Sequence, residues 1–148
     1  LLRLRDESLP LPAGALLFSP YTDLEHTGRS IRENHAPDYL PLGEPQPHIW
    51  YLGDHDPKDP YASPMYGKFD GIPPLLVFAG GREMIRDDSI RLVEAAARDE
   101  CDATLHIAAD MYHVWPALLP NHPETMRTLA IAADFVRDKA GTDGAGLS

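Results

Sequence analysis

Three short runs rich in apolar residues stand out along this chain, and each has the length of a β-strand. They span residues 13–18, 75–79 and 104–108. Apolar runs of about four to eight residues are typical of strands covered on both faces, as in a parallel sheet. Helical spacing of apolar residues follows the second and third runs. The pattern therefore predicts an α/β fold with about three parallel strands, flanking helices and right-handed crossovers.

Two longer helices are predicted from the apolar spacing. Asp87 and Asp88 favour a helix start, because carboxylates interact with the positive end of the helix dipole, and this helix extends to about Arg98. Its predicted buried stripe consists of Ile90, Val93 and Ala97. A last helix begins near Pro123, with a predicted apolar face of Met126, Leu129, Ala133 and Val136. We also expect a short helix near residues 47–52 and a flexible tail at residues 141–148.

The charge balance argues against several classes of partner. The 148 residues include 13 basic and 23 acidic side chains, a formal net charge of −10, and an acidic protein repels the phosphates of nucleic acids. No apolar run approaches the roughly 20 residues that a membrane-spanning helix needs. The single cysteine, Cys101, excludes an intramolecular disulfide and fits a reducing, cytoplasmic compartment. The histidines show no zinc-like spacing with a third ligand, so we predict no metal site.

Two side chains with catalytic potential follow the second and third predicted strands. Glu83 comes after the second strand and Gly80-Gly81, and His113 comes after the third. Adjacent parallel strands end on one edge of a sheet, so we expect the carboxylate and the imidazole to lie within contact range. A carboxylate bonded to one ring nitrogen leaves the other free to take a proton from a nucleophile. The alternative is structural, with Glu83 favouring the next helix dipole and His113 packed on Trp115.

Four segments carry a resemblance to a known family. They are SPYTDL at residues 19–24, DPYASPMYG at 59–67, PPLLVFAGGREMIRDDS at 73–89 and DMYHVW at 110–115. In combination they resemble the C-terminal half of the hormone-sensitive-lipase-like esterases, which are α/β-hydrolases. The resemblance implies that Glu83 is the acid and His113 the histidine of a catalytic triad, and their separation of 113 − 83 = 30 residues fits that family. Arg82, next to Glu83, offers the acid a competing partner.

The resemblance also implies that other parts of the family's fold are absent from these residues. No G-x-S-x-G motif occurs, and the nucleophile elbow, the HGGG-type oxyanion loop and the cap would precede Leu1. Residues 1–7 would match the end of the helix that follows the elbow. We therefore expect residues 1–140 to be the C-terminal portion of an α/β-hydrolase domain, a partial fold that is inactive alone. The complete enzyme would hydrolyse a small-molecule ester without a cofactor.

Three questions have more than one answer from the sequence. The apolar residues around His113 are either core or a wall for the acyl or alcohol group of a substrate; they are Met111, Tyr112, Val114 and Trp115. The chain is alternatively a non-catalytic module whose open sheet edge pairs with another copy or with a partner. As part of an esterase, it would associate with the missing N-terminal half or with another copy. A complete small enzyme that uses Ser19 or Ser63 has less support, because neither serine follows the strand–glycine–helix pattern of an elbow.

Overall fold

Three parallel strands form the sheet, in the spatial order β1-β2-β3. The computed structural model describes residues 1–34, 38–39 and 51–141. Within them β1 spans Ala15–Phe18, β2 spans Leu75–Gly80 and β3 spans Ala103–Ala108. Each strand lies within two residues of its predicted bounds, so the predicted parallel sheet is confirmed. The outer edges of β1 and β3 have no partner strand among the described residues.

The helices that the structure describes lie before, between and after the strands along the chain. They are α1 Leu2–Asp6, α2 Ser30–Glu33, α3 Arg86–Arg98, α4 Trp115–Leu118 and α5 Pro123–Ala140, and a 3₁₀ turn spans Pro64–Tyr66. The helix predicted near residues 47–52 and the tail predicted at 141–148 fall mostly outside the described residues. In the described part of the chain, every helix is too short or too polar to cross a bilayer.

Apolar side chains cover β2 on both faces, which explains its uninterrupted apolar sequence. One cluster of buried residues includes Leu75 and Val77 together with Leu92, Ala95 and Ala96 of α3. A second includes Leu76 and Phe78 together with Met111, Trp115 and Ala132. Because successive side chains of a strand point to opposite faces, the two clusters lie on opposite sides of the sheet. The strand that precedes Glu83, β2, is therefore the buried centre of the fold.

The predicted buried stripe of α3 is wrong for Ile90 and Ala97, whereas Val93 packs against the first core cluster. Ala97 is exposed and Ile90 and Val93 are only half-buried, whereas the apolar residues that α3 buries are Leu92, Ala95 and Ala96. The physical reason lies in the first turn of the helix, where the polar residues Asp88 and Ser89 are also buried. Asp88 bonds the loop after β1, as described below, and this contact sets the face that α3 turns inward.

The predicted apolar face of α5 is also wrong. Met126 is 59% exposed, Leu129 44% and Val136 48%, and Ala133 is exposed as well. The residues that α5 buries are the small ones: Thr125, Thr128 and Ala132. Phe18 and Phe78 stack with ring centroids 5.0 Å apart, and α5 meets the cluster that contains Phe78 with the buried Ala132 and the half-buried Phe135.

Candidate active site

Glu83 lies in a turn that folds back onto the carboxyl end of β2. The Glu83 N–H bonds the Gly80 carbonyl oxygen at 3.3 Å, and Glu83 Oε1 accepts a hydrogen bond from the Gly80 N–H at 3.0 Å. The Glu83 side chain is 0% exposed. A buried carboxylate needs hydrogen-bond donors to offset the loss of its hydration. Gly80 supplies one donor, and Oε2 is left to receive another.

The second partner of Glu83 is the imidazole of His113, which follows β3. His113 Nδ1 lies 3.1 Å from Glu83 Oε2, so the predicted proximity of the two side chains is confirmed. The His113 side chain is 17% exposed. A proton on Nδ1 that is donated to the carboxylate leaves a lone pair on Nε2, which can then accept a proton. The geometry suits a general base held by an acid, and the catalytic roles of the two residues stay predictions.

The two site loops meet backbone to backbone, and two glycines make this approach possible. The Gly81 N–H bonds the Ala108 carbonyl oxygen at 2.8 Å, and the Arg82 N–H bonds the Met111 carbonyl oxygen at 3.0 Å. A Cβ on Gly80 would lie 2.4 Å from the Met111 oxygen, and one on Gly81 would lie 2.3 Å from the Ala109 oxygen. Any side chain here would push the carboxylate loop away from the histidine loop.

Two residues of the long connection between β1 and β2 form hydrogen bonds with the loop that carries Glu83. Asn34 Nδ2 donates to the carbonyl oxygens of Gly81 at 3.2 Å and of Glu83 at 2.9 Å. The Met84 N–H donates to Asp38 Oδ2 at 2.6 Å. These contacts satisfy backbone groups on either side of the Glu83–Met84 peptide bond and so restrict its rotation. No sequence pattern had pointed to Asn34 or Asp38, because each lies more than 40 residues from its partners.

Tyr39 reaches the histidine loop from the same segment. Its Oη donates to the His113 carbonyl oxygen at 2.7 Å, and its ring lies edge-on to the imidazole with centroids 6.2 Å apart. The Tyr39 side chain is exposed. Sequence analysis missed this residue, since the contact joins positions 74 residues apart and leaves no local pattern.

Arg82 does not compete for the Glu83 carboxylate. Its guanidinium instead bonds Asp110 Oδ1 at 2.7 Å, and both side chains of this ion pair are largely exposed. The competition that Arg82 was expected to offer is therefore a wrong prediction. The physical reason is that Glu83 points inward from the turn, while the adjacent Arg82 points out toward solvent and the tip of the neighbouring loop.

The four apolar residues around His113 divide into two pairs. Met111 and Trp115 are buried in the core cluster of Leu76 and Phe78, so both have the core role that the sequence left open. Tyr112 and Val114 are only half-buried. Tyr112 and Val114 therefore have solvent-accessible surface that a substrate could contact, whereas Met111 and Trp115 pack in the core beneath the loop. The substrate-binding role of all four residues stays a prediction.

Other histidines have structural partners. His106, within β3, stacks on Phe78 with ring centroids 5.5 Å apart. His122 precedes α5, and its Nδ1 accepts a hydrogen bond from the Glu124 N–H at 3.2 Å. Among the residues that the structure describes, no group of three or more His, Cys, Asp or Glu side chains is arranged to hold a metal ion.

Asp88, in the first turn of α3, ties the loop after β1 to this helix. Asp88 Oδ2 accepts hydrogen bonds from the Thr22 and Asp23 N–H groups, each at 2.9 Å. Its other oxygen, Oδ1, is buried and has no hydrogen-bond partner in the described part of the chain. Burial raises the pKa of Asp88 to about 7, although the two N–H groups act in the opposite direction. Asp88 therefore does more than favour a helix dipole.

The raised pKa of Asp88 predicts a specific pH dependence of stability. From about pH 4, the unfolded pKa, to about pH 7, folded Asp88 keeps a proton that the unfolded chain has lost. Stability should therefore fall with rising pH by up to about 1.4 kcal/mol per unit, and this loss should stop above about pH 7. Asp88→Asn removes the titration. We expect the free energy of unfolding of Asp88→Asn, measured in urea relative to wild type, to rise with pH across this window.

The neighbouring Asp87 provides the control for this measurement. Burial opposes ionisation of Asp87, but hydrogen bonds from Arg86 and the Ser30 backbone outweigh it and leave the Asp87 pKa below its usual value. Asp87 is therefore ionised in both states above about pH 5. The difference between Asp87→Asn and wild type should be flat across the window in which the Asp88→Asn difference rises. Parallel profiles for the two variants would contradict the assignment to Asp88.

Comparison with known proteins finds relatives of this chain among hydrolases and esterases. Residues 1–117 match the family model of the alpha/beta hydrolase fold. The chain is 37% identical over 145 residues to an acetyl-hydrolase of Streptomyces hygroscopicus, covering 93% of this chain and 47% of that protein. It superposes on the crystal structure of EstE5 soaked with p-nitrophenyl butyrate with a TM-score of 0.87 and 38% identity, covering 93% and 47% of the two chains.

A further solved structure has the same relation to this chain. An esterase from the bacterial hormone-sensitive lipase family superposes with a TM-score of 0.84 and 36% identity, and the match covers 94% of this chain and 48% of that one. The chain thus spans about half the length of the relatives it matches. The predicted resemblance and the predicted partial α/β-hydrolase fold are confirmed. The chain therefore belongs to the α/β-hydrolase family, and it corresponds to a C-terminal half of the hormone-sensitive-lipase-like esterases.

Proposed function

We propose that this chain is the C-terminal portion of a serine carboxylic-ester hydrolase and supplies two members of its catalytic triad. Glu83 is the acid and His113 is the histidine. The single observation that carries the proposal is the 3.1 Å contact between His113 Nδ1 and the buried Glu83 Oε2. A carboxylate at 0% exposure beside a partly exposed imidazole is an arrangement suited to proton transfer at Nε2, the nitrogen that does not bond the carboxylate.

The proposed reaction assigns one task to each residue. A serine hydroxyl from outside these 148 residues attacks the ester carbonyl carbon while His113 Nε2 takes the hydroxyl proton. His113 then gives this proton to the departing alcohol, and an acyl-serine remains. Water, deprotonated by His113 in the same way, attacks the acyl-serine; His113 returns the proton to the departing serine oxygen, and the acid is released. Glu83 stabilises the imidazolium and holds the tautomer in which Nε2 accepts a proton.

Short or medium-chain esters are the proposed substrates. The relative from Streptomyces hygroscopicus is named an acetyl-hydrolase, and the EstE5 crystal had been soaked with a butyrate ester. The half-buried side chains of Tyr112 and Val114 flank His113. We propose that these two residues contact the acyl or alcohol group, and that Met111 and Trp115 complete the apolar wall behind them.

A nucleophile within the chain itself has weaker support. Ser63 is fully buried, and its hydroxyl accepts a hydrogen bond from the Leu24 N–H at 2.9 Å while donating to the Pro57 carbonyl oxygen at 2.5 Å. Ser19 is also buried and accepts a hydrogen bond from the Val114 N–H at 3.0 Å. Both hydroxyl groups are already engaged with the backbone, so neither is arranged to attack a substrate.

Joining the chain to the unmatched first half of the Streptomyces hygroscopicus acetyl-hydrolase tests the proposed function. We expect this chimera to hydrolyse p-nitrophenyl acetate at a rate that the 148-residue chain alone does not reach, because the first half would supply the serine. The decisive variant of the chimera is His113→Ala, which removes the imidazole. Hydrolysis by the 148-residue chain alone, lost in His113→Ala, would instead place the nucleophile within this chain.

A second candidate function is association with another copy of this chain. Two observations favour it: the outer sheet edges have no partner among the described residues, and α5 exposes Met126, Leu129 and Val136. Unpaired strand edges and contiguous apolar surface both promote contact between protein molecules.

The association can be tested on the chain as it exists. We expect light scattering to show a dimer whose dissociation constant rises about tenfold or more in Met126→Gln/Leu129→Gln, because apolar contact area is lost. The free energy of unfolding should change by no more than about 0.5 kcal/mol, since both side chains are exposed. Leu9→Gln, at a 47% exposed position outside α5, is the control. A stable monomer at every concentration would contradict this candidate.

A further inference from the structure

Two residues at the carboxyl end of the sheet have left-handed backbone conformations, and neither is glycine. Ser19 directly follows β1 with φ 49°, and Val114 directly follows His113 with φ 48°. Valine is especially unfavourable in this region, because its branched Cβ crowds the backbone. Such strain persists only where the surrounding contacts hold it in place. The left-handed turn after His113 therefore requires a contact that maintains it.

The two strained residues bond each other. The Val114 N–H donates to Ser19 Oγ at 3.0 Å across 95 positions of the chain. Ser19 is 4% exposed, and its own N–H bonds the Phe78 carbonyl oxygen at 2.7 Å. The serine hydroxyl is thus anchored to the rigid centre of the sheet. Ser19 Oγ is therefore a buried hydrogen-bond acceptor for the loop that carries His113.

The same peptide group is held at its other end by Tyr39. The Val114 N–H and the His113 carbonyl oxygen belong to one planar peptide unit and point in opposite directions. Tyr39 Oη donates to that oxygen at 2.7 Å. Two hydrogen bonds on opposite ends of one plane prevent its rotation, and this rotation would change the direction in which the His113 side chain leaves the backbone.

We propose that Ser19 and Tyr39 are positioning residues that clamp the His113–Val114 peptide plane and thereby aim the imidazole at Glu83. The inference deepens the proposed function and rests on it. Neither residue touches the reacting atoms, and both act through His113. A misplacement of a catalytic group by about 1 Å can lower a rate about 100-fold. The strained turn after the histidine is thus preserved by hydrogen bonds from two distant parts of the chain.

The clamp is tested first by NMR on the 148-residue chain. Ser19→Gly removes the hydroxyl but tolerates the left-handed backbone, and Tyr39→Phe removes only the Oη. We expect the Nδ1–H signal of His113, assigned by its loss in His113→Gln, to weaken by about half in each variant and to vanish in the double variant. An unchanged signal in the double variant would overturn the inference. If Ser19→Gly does not fold, Tyr39→Phe, at an exposed position, decides the question in the same way.

Matched controls remove a hydroxyl of the same kind elsewhere. Ser63→Ala deletes an equally buried serine hydroxyl that also accepts a backbone N–H. Tyr61→Phe deletes the hydroxyl of another exposed tyrosine, whose Oη bonds Asp6 at 2.9 Å. We expect both controls to leave the His113 signal unchanged. Equal losses in the controls and in the clamp variants would show a general loosening of the fold and would overturn the positioning role.

Activity of the chimera separates the clamp from the proposed function. We expect kcat for p-nitrophenyl acetate to fall about tenfold in each single variant and about 100-fold in the double variant, with KM changed less than about threefold. A chimera that is active but insensitive to both substitutions would overturn the clamp and leave the proposed function intact. A wild-type spectrum without the Nδ1–H signal would contradict the Glu83–His113 hydrogen bond and with it the proposed function.

Discussion

Replacing His113 with alanine is expected to lower kcat of the chimera on p-nitrophenyl acetate by about 10,000-fold to 1,000,000-fold, the order of loss that follows removal of a triad member. The imidazole is the group that takes the serine proton and later returns it to the leaving alcohol. Glu83 cannot replace it, because its carboxylate is fully buried and faces Nδ1. KM should change little, since the imidazole contributes mainly to the transition state.

Two further substitutions make this test more specific, one at Glu83 and one at a control histidine. Glu83→Gln keeps an oxygen for the Gly80 N–H but removes the negative charge that stabilises the imidazolium. We therefore expect a loss of about 100-fold or more from this variant alone. In His113→Ala/Glu83→Gln the losses should not multiply, because the acid acts only through the histidine. His55→Ala, at an exposed histidine, should leave kcat unchanged. A His113→Ala chimera that retains its kcat would contradict the assignment of His113 as the histidine of the triad.

Adding one methyl group at Gly80 should destabilise the fold by about 3 kcal/mol, the upper range for overpacking a rigid site. The new Cβ would lie 2.4 Å from the Met111 carbonyl oxygen and 2.7 Å from the Tyr112 oxygen. Both obstacles are backbone atoms of the histidine loop, so relief requires that loop to move away from β2. Gly80→Ala should consequently lower activity as well as stability, because Glu83 and His113 sit on the two surfaces that are pushed apart.

Urea denaturation of the 148-residue chain measures the stability change directly. Gly28→Ala is a suitable control, because this glycine is also buried but its Cβ would come no closer than 3.3 Å, to a side-chain atom of Asp87. We expect that control to lose less than about 1 kcal/mol. A loss of similar size for Gly80→Ala would show that the two loops separate easily. The close backbone approach would then have no bearing on the site.

The sequence predicted the sheet and the approximate position of its site because both depend on local properties. Short apolar runs indicated three strands of a parallel sheet, and the structure has all three, although only β2 is buried along its whole length. Glu83 and His113 each follow a strand, and parallel strands bring their carboxyl ends to one edge. The contact of 3.1 Å between them was therefore expected from strand order alone. What the pair does chemically stays a prediction until a complete enzyme is measured.

The faces of the helices could not be predicted from the sequence. Helix α5 has an apolar stripe through Met126 and Leu129, and the spacing made it the natural choice for burial. The residues that α5 buries are instead Thr125, Thr128 and Ala132, and Phe135 packs against the core cluster of Leu76 and Phe78, because the shape of the opposing surface decides which face packs. An amphipathic pattern describes one helix, whereas burial depends on two surfaces that meet.

By itself, then, the sequence determined the periodicity of each element, the strand ends and the chemical groups placed there. Only the tertiary structure decided how those groups are held. Tyr39 meets His113 across 74 positions and Ser19 meets Val114 across 95, so neither contact has a local signature. The physical reason is one of range: dihedral preferences and apolar spacing act over a few residues, while a hydrogen bond between distant loops exists only after the chain has folded around both.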